Sequence, residues 1–126
     1  MAARILGADL CYMGTRFIAT VESGAPRDYK NMIVASSAAE LIYTPFFTHG
    51  VPANMMTRSI ARAGFDPRNL STSDAGEPSQ KVKAWRDIWS AGQGVAGIDA
   101  VLPVAEVVDR LAREYADARR RLLAES

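Results

Sequence analysis

Ala8-Asp9-Leu10-Cys11-Tyr12-Met13-Gly14-Thr15 is the stretch on which the fold turns. Leu10 to Met13 follow one another without the alternation of a half-solvated strand. That predicts a short strand over Ala8 to Met13, covered on both faces as in a parallel sheet. Before it, residues 1–6 read as the last turns of a helix, stopped by Gly7, because glycine takes left-handed backbone cheaply. After it, Gly14-Thr15 ends the strand and a helix starts near Thr15. Helix, strand and a Gly-Thr step into a helix make one unit of a βα repeat. A parallel strand needs a paired neighbour, and the sequence offers no second strand of that kind. A complete (β/α)8 barrel takes about 250 residues, and this chain has 126. The expected fold class is therefore α/β: the C-terminal fragment of a (β/α)8 TIM barrel, its last strand followed by helices and a small α+β segment, in one domain over residues 1–126.

Working outward, Pro26 opens a second helix that runs to about Ser36, with Tyr29, Met32 and Ile33 as its apolar stripe. Glu40 to Phe47 is rich in aromatic and β-branched residues and reads as an extended strand. His49-Gly50 reads as a turn, Val51 to Met56 as another extended piece, and Thr57 to Ala63 as a short helix. Residues 64–80 are polar, with two prolines and two glycines, and are expected to form a long, mobile surface loop. Pro78 restarts a helix to about Trp89, which would put Val82, Trp85, Ile88 and Trp89 on one face. Trp85 and Trp89 are expected as core anchors. Pro103 starts the last helix, with the stripe Val104, Val107, Val108, Leu111, Tyr115, Ala118 and Leu122. Glu106–Arg110, Asp109–Arg113 and Asp117–Arg121 are acid-before-base pairs at i,i+4 on its wet side. Arg119-Arg120-Arg121 complements the negative end of its dipole.

Composition narrows the class. Hydrophobic residues make up 48%, charged residues 23%, and the net charge is +1, values of a soluble globular chain. Nothing resembles the basic stripe of a nucleic-acid binder. No stretch reaches the roughly 18 apolar residues of a membrane span, and Met1 to Leu6 is too short for a signal peptide. Cys11 is the single cysteine. It is expected as a small buried hydrophobe in a reducing, cytoplasmic setting.

Two segments carry candidate chemistry. In Tyr12-Met13-Gly14-Thr15, amide N–H groups at a helix start have no partners within the helix and favour an anion. Glycine lets a phosphate approach the backbone, and the threonine hydroxyl adds a donor. The plain alternative is an ordinary helix start. In Ser90-Ala91-Gly92-Gln93-Gly94, small residues permit close backbone approach and Gln93 offers donor and acceptor. The plain alternative there is a helix-to-helix turn. His49, the lone histidine, reads as a turn residue with nothing to orient it as a base. No histidine or cysteine pair supports a metal site, and Thr15, Ser23 and Ser90 lack a base partner for nucleophilic catalysis. The chain supplies no catalytic residue that its own sequence identifies.

Gly7-Ala8-Asp9 through Tyr12-Met13-Gly14-Thr15-Arg16-Phe17-Ile18-Ala19-Thr20, with Glu22-Ser23, resembles the last-strand segment of the nitronate monooxygenase (2-nitropropane dioxygenase) family. Lys83-Ala84-Trp85-Arg86-Asp87-Ile88-Trp89-Ser90-Ala91-Gly92-Gln93-Gly94-Val95 resembles that family's C-terminal flavin-proximal loop, and Gly50-Val51-Pro52-Ala53-Asn54 fits the segment between. The resemblance spans nearly the whole chain. It implies a (β/α)8 barrel with FMN at the C-terminal mouth of its strands, oxidising alkyl nitronates with O2 to a carbonyl compound and nitrite. By the same resemblance, Tyr12, Met13, Gly14 and Thr15 match the FMN segment, with Gly14 and Thr15 on the phosphate, and Ser90, Ala91, Gly92 and Gln93 match the loop near the flavin. The family's glycine pair on the preceding strand and its histidine base have no counterpart in this sequence, and His49 does not take the latter's place.

The expected partners are accordingly a small-molecule nitronate and O2, with no nucleic acid and no membrane. The missing barrel portion, or a second copy of the chain, is expected to cover the strand Ala8–Met13. An FMN-dependent enoyl-[acyl carrier protein] reductase shares a similar Met-Gly-Thr-Arg-Phe stretch and is the second reading. A non-catalytic fragment or assembly module is the third.

Overall fold

Met55 and Met56 stand side by side in sequence and face different interiors. The structure, a computed structural model, describes residues 1–48, 50–70 and 82–124. Among these, β1 (Leu41–Thr44) and β2 (Ala53–Met56) form an antiparallel hairpin, with Leu41 opposite Met56 and Thr44 opposite Ala53. Consecutive strand side chains point to opposite faces. Met55 therefore joins Phe46, Phe47, Ile60 and Ile88, whereas Met56 joins Ala19, Ile33, Trp89, Ala91, Val95 and Ile98. Both methionines are fully buried, and each such burial contributes about 1.5–3 kcal/mol.

β1 is shorter than the strand expected over Glu40 to Phe47. Pro45 has no N–H to continue the ladder, and Thr44 Oγ1 accepts the Phe46 N–H at 3.2 Å, turning the chain. Phe46 and Phe47 then point inward and meet Phe65 edge-to-face, with centroids 5.9 and 5.3 Å away. Glu40 belongs to a single 3-10 turn (Ala38–Glu40), where its carboxylate accepts the Ser37 N–H at 2.8 Å in a capping box.

The helices expected at the two ends are present. α1 (Ala2–Ile5) ends at Gly7, whose φ is +94°. There Ala8 N–H donates to Ala3 O at 2.9 Å and Gly7 N–H to Arg4 O at 3.0 Å, the paired bonds that satisfy a helix's last carbonyls. α2 (Thr15–Ile18) starts where the Gly-Thr step placed it. α3 (Arg27–Val34) follows Pro26 and buries Ile33, with Tyr29 and Met32 packed on the Met56 cluster. α4 (Thr57–Arg62) follows β2 directly. The last helix, α5 (Val104–Ala124), follows Pro103, and its first free amide, Val104 N–H, is met by both oxygens of Glu22 at 3.1 and 2.9 Å. Beside that contact, Val21 N–H donates to Leu102 O at 3.0 Å in a short parallel pairing.

Several expectations change. Ala8 to Met13 lies in no sheet, Leu10 and Tyr12 are 91% and 100% exposed, and Cys11 is exposed rather than buried. The reason is the one that makes parallel strands read as they do: cover and hydrogen bonds come wholly from neighbours, and none stands beside this segment among the described residues.

The helix expected to end at Trp89 is not formed over residues 82–89. Trp85 has φ +69°, which a helix cannot hold, and the Asp87 carboxylate accepts the Lys83 N–H at 2.8 Å. A short acidic side chain that bonds nearby backbone competes with helix in this way. Trp85 is consequently 59% exposed, and only Trp89 is a core anchor.

On α5, Val107 is buried but Val108, Tyr115 and Leu122 are exposed. Arg110 pairs with Asp99 and Glu114 instead of Glu106, and Asp117 pairs with Arg120 instead of Arg121. Of the polar loop over 64–80, Phe65 and Leu70 pack on the Phe46–Phe47 cluster, and 71–81 lie outside the described residues. So does His49.

Candidate functional site

Thr15 and Gly92 are 77 positions apart in sequence and joined by one hydrogen bond, Gly92 N–H to Thr15 Oγ1 at 2.8 Å. The contact uses a lone pair of the hydroxyl and leaves its proton to donate elsewhere. A Cβ on Gly92 would stand 3.4 Å from that oxygen, in van der Waals contact with it. Next along α2, Arg16 Nη1 donates to Gly97 O at 2.9 Å. Its Nε is buried without a hydrogen-bond partner among the described residues. A guanidinium N–H in that position carries a desolvation cost that an anion would remove.

These contacts border a cavity of about 460 Å³. It is lined by Tyr12, Met13, Gly14, Thr15 and Arg16 from one segment, by Gly92, Gln93, Gly94, Gly97 and Ile98 from the second, and by Leu111 and Glu114 of α5. The structure thus brings Tyr12, Met13, Gly14 and Thr15 together with Gly92 and Gln93. Ser90 and Ala91 sit behind the wall. Ser90 pairs with Met55 and its carbonyl accepts the Tyr29 hydroxyl at 2.6 Å, and Ala91 is 4% exposed in the Met56 cluster. Arg16, Gly97, Ile98, Leu111 and Glu114 were not singled out as site residues from the sequence. Arg16 follows Thr15 directly and was in view; Leu111 and Glu114 share a helical face at i,i+3, but nothing in the sequence says what that face meets.

The loop bearing Gly92 is fixed from behind. Tyr29 stacks on Trp89 at 4.8 Å between centroids and 14° between planes, and the Arg62 guanidinium covers the indole at 3.5 Å. Trp89 N–H donates to Ser59 Oγ at 2.7 Å, and Met56 N–H donates to Trp89 O at 3.0 Å. Burial pushes the Tyr29 hydroxyl pKa above its ordinary value, against the lowering effect of its bond to Ser90.

On the α5 side, Arg110 holds Asp99 through two bonds of 2.6 and 2.9 Å and Glu114 through Nε at 2.9 Å. The bonds to Arg110 hold the Asp99 carboxyl below its usual range. Among the described residues no group of three His, Cys, Asp or Glu side chains converges as a metal site, and no helix is long and apolar enough to cross a membrane.

No family model matches the chain. A nitronate monooxygenase of Paraburkholderia phytofirmans is 29% identical over 123 residues, a match that takes in 90% of this chain and 33% of that protein. Among solved structures, a point mutant of FabK from Thermotoga maritima aligns with TM-score 0.70 and 29% identity, over 99% of this chain and 39% of that one. FabK itself aligns with TM-score 0.69 over 99% of this chain and 42% of that one, at 24% identity, a likeness of fold.

Fold and comparisons together define the class: an α/β chain that corresponds to part of a TIM barrel and is related to oxidoreductases. More particularly, the chain is related to a nitronate monooxygenase, at 29% identity over 90% of its own length. It spans about a third of the length of the curated relative it matches.

Proposed function

We propose that this chain forms one side of the FMN phosphate site of an oxidoreductase of the nitronate monooxygenase type. The observation that carries the reading is the Thr15–Gly92 hydrogen bond, which brings the two flavin-matching segments to one cavity. The residues present fit a phosphomonoester. Gly14, Gly92 and Gly94 leave backbone bare, and the Thr15 hydroxyl retains a proton to give. Arg16 Nε is a buried donor without a partner among the described residues, and charge-assisted bonds from a guanidinium to phosphate are among the stronger ones available.

FMN held there would supply the redox chemistry by which an alkyl nitronate and O2 become a carbonyl compound and nitrite. The chain's part is to hold and orient. Thr15 and Arg16 grip the phosphate end, and the Gly92–Gly94 loop closes over it. Tyr29 and Trp89 keep that loop in place from behind, and Leu111 lines the α5 side. None of these groups is asked to move a proton.

The test is flavin content and product analysis of the full-length protein. A yellow protein that releases nitrite from an alkyl nitronate and O2, without a nicotinamide cofactor, is the expected result. Colourless protein that FMN cannot reconstitute would remove the reading. The likeness to FabK supports the second reading, an FMN-dependent enoyl-[acyl carrier protein] reductase. NAD(P)H-driven reduction of an enoyl thioester without nitronate oxidation would decide for it.

A further inference from the structure

Ser59 and Arg62 share one face of α4, at i,i+3. Neither lines the cavity. Both meet the backbone of the turn that leads into the Gly92 loop. Ser59 Oγ accepts the Trp89 N–H at 2.7 Å and donates to Asp87 O at 3.4 Å. Arg62 Nη2 donates to the same carbonyl at 3.2 Å, and its guanidinium covers the Trp89 indole. Residues 82–89 form no helix, so this N–H and this carbonyl lack helical partners, and buried backbone groups need partners of some kind. Side chains of α4 supply them. Ser59 is fully buried and Trp89 is 4% exposed, so a hydroxyl and not water fills that role. At the far end of the loop, the bond from Gly92 N–H to Thr15 Oγ1 is exposed. The place of Gly92 is therefore decided from the buried end, at Trp89.

We infer that Ser59 and Arg62 are positioning residues for the cavity: through Trp89 they set where the Gly92 amide stands, and with it the grip on the phosphate end of FMN. The inference rests on the FMN reading above and deepens it. The Gly92 amide occupies one lone pair of Thr15 Oγ1 and so directs the hydroxyl proton that faces the ligand. Between Trp89 and Gly92, Ala91 is buried in the Met56 cluster. A close-packed interior passes a displacement on instead of absorbing it, and a binding group must stand within about 0.5 Å of its productive place. Tyr29 and Met56 hold the same segment at Ser90 O and Trp89 O. Ser59 and Arg62 act before them, at Asp87 O and Trp89 N–H.

The experiment uses the full-length protein. It reads the FMN dissociation constant by fluorescence titration, the phosphorus resonance of bound FMN, and the amide exchange rate of Gly92. Ser59→Ala removes the acceptor of Trp89 N–H. It is expected to weaken FMN binding about tenfold, the scale of one displaced hydrogen bond, to shift the phosphorus resonance and to speed Gly92 exchange. Arg62→Met keeps an apolar stem without donor or charge and is expected to move the same readouts in the same direction, by about threefold in the dissociation constant. Arg62→Lys returns the cation and should recover part of that loss. Phe47→Leu is the control for stability alone: it loosens the Phe46–Phe47 cluster, which does not line the cavity, and is expected to lower Tm while leaving FMN binding as it was. When Ser59→Ala is combined with Thr15→Val, the two losses should fall short of their product, since both act through one hydroxyl. Arg62 is exposed, so Arg62→Met carries the test if Ser59→Ala fails to fold. A lowered Tm with parental FMN binding, phosphorus resonance and Gly92 exchange overturns the inference and leaves the FMN reading standing. A parent protein that takes up no FMN overturns the FMN reading, and Gly92 exchange in the variants then decides by itself whether α4 positions the loop.

Discussion

Thr15 does two jobs with one oxygen, and they can be separated by substitution. As acceptor it holds Gly92 N–H at 2.8 Å; as donor it faces the cavity. Thr15→Val removes both at nearly constant shape. The expected cost in stability is about 1 kcal/mol for the lost bond, and flavin retention should fall by at least about tenfold, because a charge-assisted contact goes with it. Thr15→Ser keeps the hydroxyl and should retain most of both. Equal flavin content in the Val and Ser variants would show that Thr15 is only a structural tie.

Gly14 gives the complementary experiment. Its backbone is at φ −93°, ψ −59°, open to any residue, and a Cβ there meets nothing within 4 Å. Gly14→Val should therefore leave the melting temperature nearly unchanged while blocking the approach of a phosphate. Normal flavin content in that variant would take Gly14 out of the site.

The segment 82–94 is the element on which reading the sequence and folding the chain part company. Val82, Trp85, Ile88 and Trp89 have helical spacing, and the resemblance placed the loop after them near the flavin. Gly92, Gln93 and Gly94 of that loop line the cavity beside Thr15; the helix before it is not formed. What the spacing could not weigh is Asp87, whose carboxylate closes on Lys83 N–H and on Arg86, a local alternative that wins once Ile88 and Trp89 can reach the hairpin. The helices at Thr15, Pro26, Thr57 and Pro103 were legible because each begins at a strong local signal, and the cavity's two main segments because each is a contiguous motif. Glu114 and Arg16 were not, because membership of a cavity depends on what packs opposite.

Two outcomes follow at this scale. Tyr29→Phe keeps the stack on Trp89 but loses the 2.6 Å bond to Ser90 O. It should lower stability by about 1 kcal/mol and loosen the Gly92 loop, read as faster amide exchange at Gly92. Unaltered exchange would free Tyr29 of that role. The Asp87 carboxyl is drawn down from 3.8 to about 2, first by its bond to Arg86 and then by Lys83 N–H. A depressed carboxylate contributes stability that is complete above its unfolded value and is lost as pH falls through the folded one. The 83–88 turn should therefore open between about pH 4 and pH 2, with Trp85 and Trp89 fluorescence as the readout. In Asp87→Asn that step should be absent.

For the molecule as a whole, the decisive fact is where apolar surface remains uncovered. Leu6, Leu10 and Tyr12 at one end are 88%, 91% and 100% exposed, and Val108, Tyr115 and Leu123 along α5 are 49%, 39% and 68% exposed. The two buried clusters account for the hairpin, α3, α4 and the 88–98 segment, whereas the segment before Gly14 and the outer length of α5 have no such partner among the described residues. Exposed apolar side chains in such number favour association. The relatives in which a matching fold is seen are longer, this chain covering 39% and 42% of them. We therefore propose that these exposed residues are covered by the remaining barrel portion or by a second copy. Expressed by itself, the 126-residue chain should elute larger than a monomer at micromolar concentration. It should also bind FMN far more weakly than the full-length protein, because Thr15, Arg16 and the glycine loop grip one end of the ligand and the rest of the barrel is needed to enclose the other. Size-exclusion chromatography and FMN fluorescence titration read the two effects separately. A cooperatively melting monomer that quenches FMN stoichiometrically would show that the chain completes its own site, and the exposed residues of α5 would then need a different explanation.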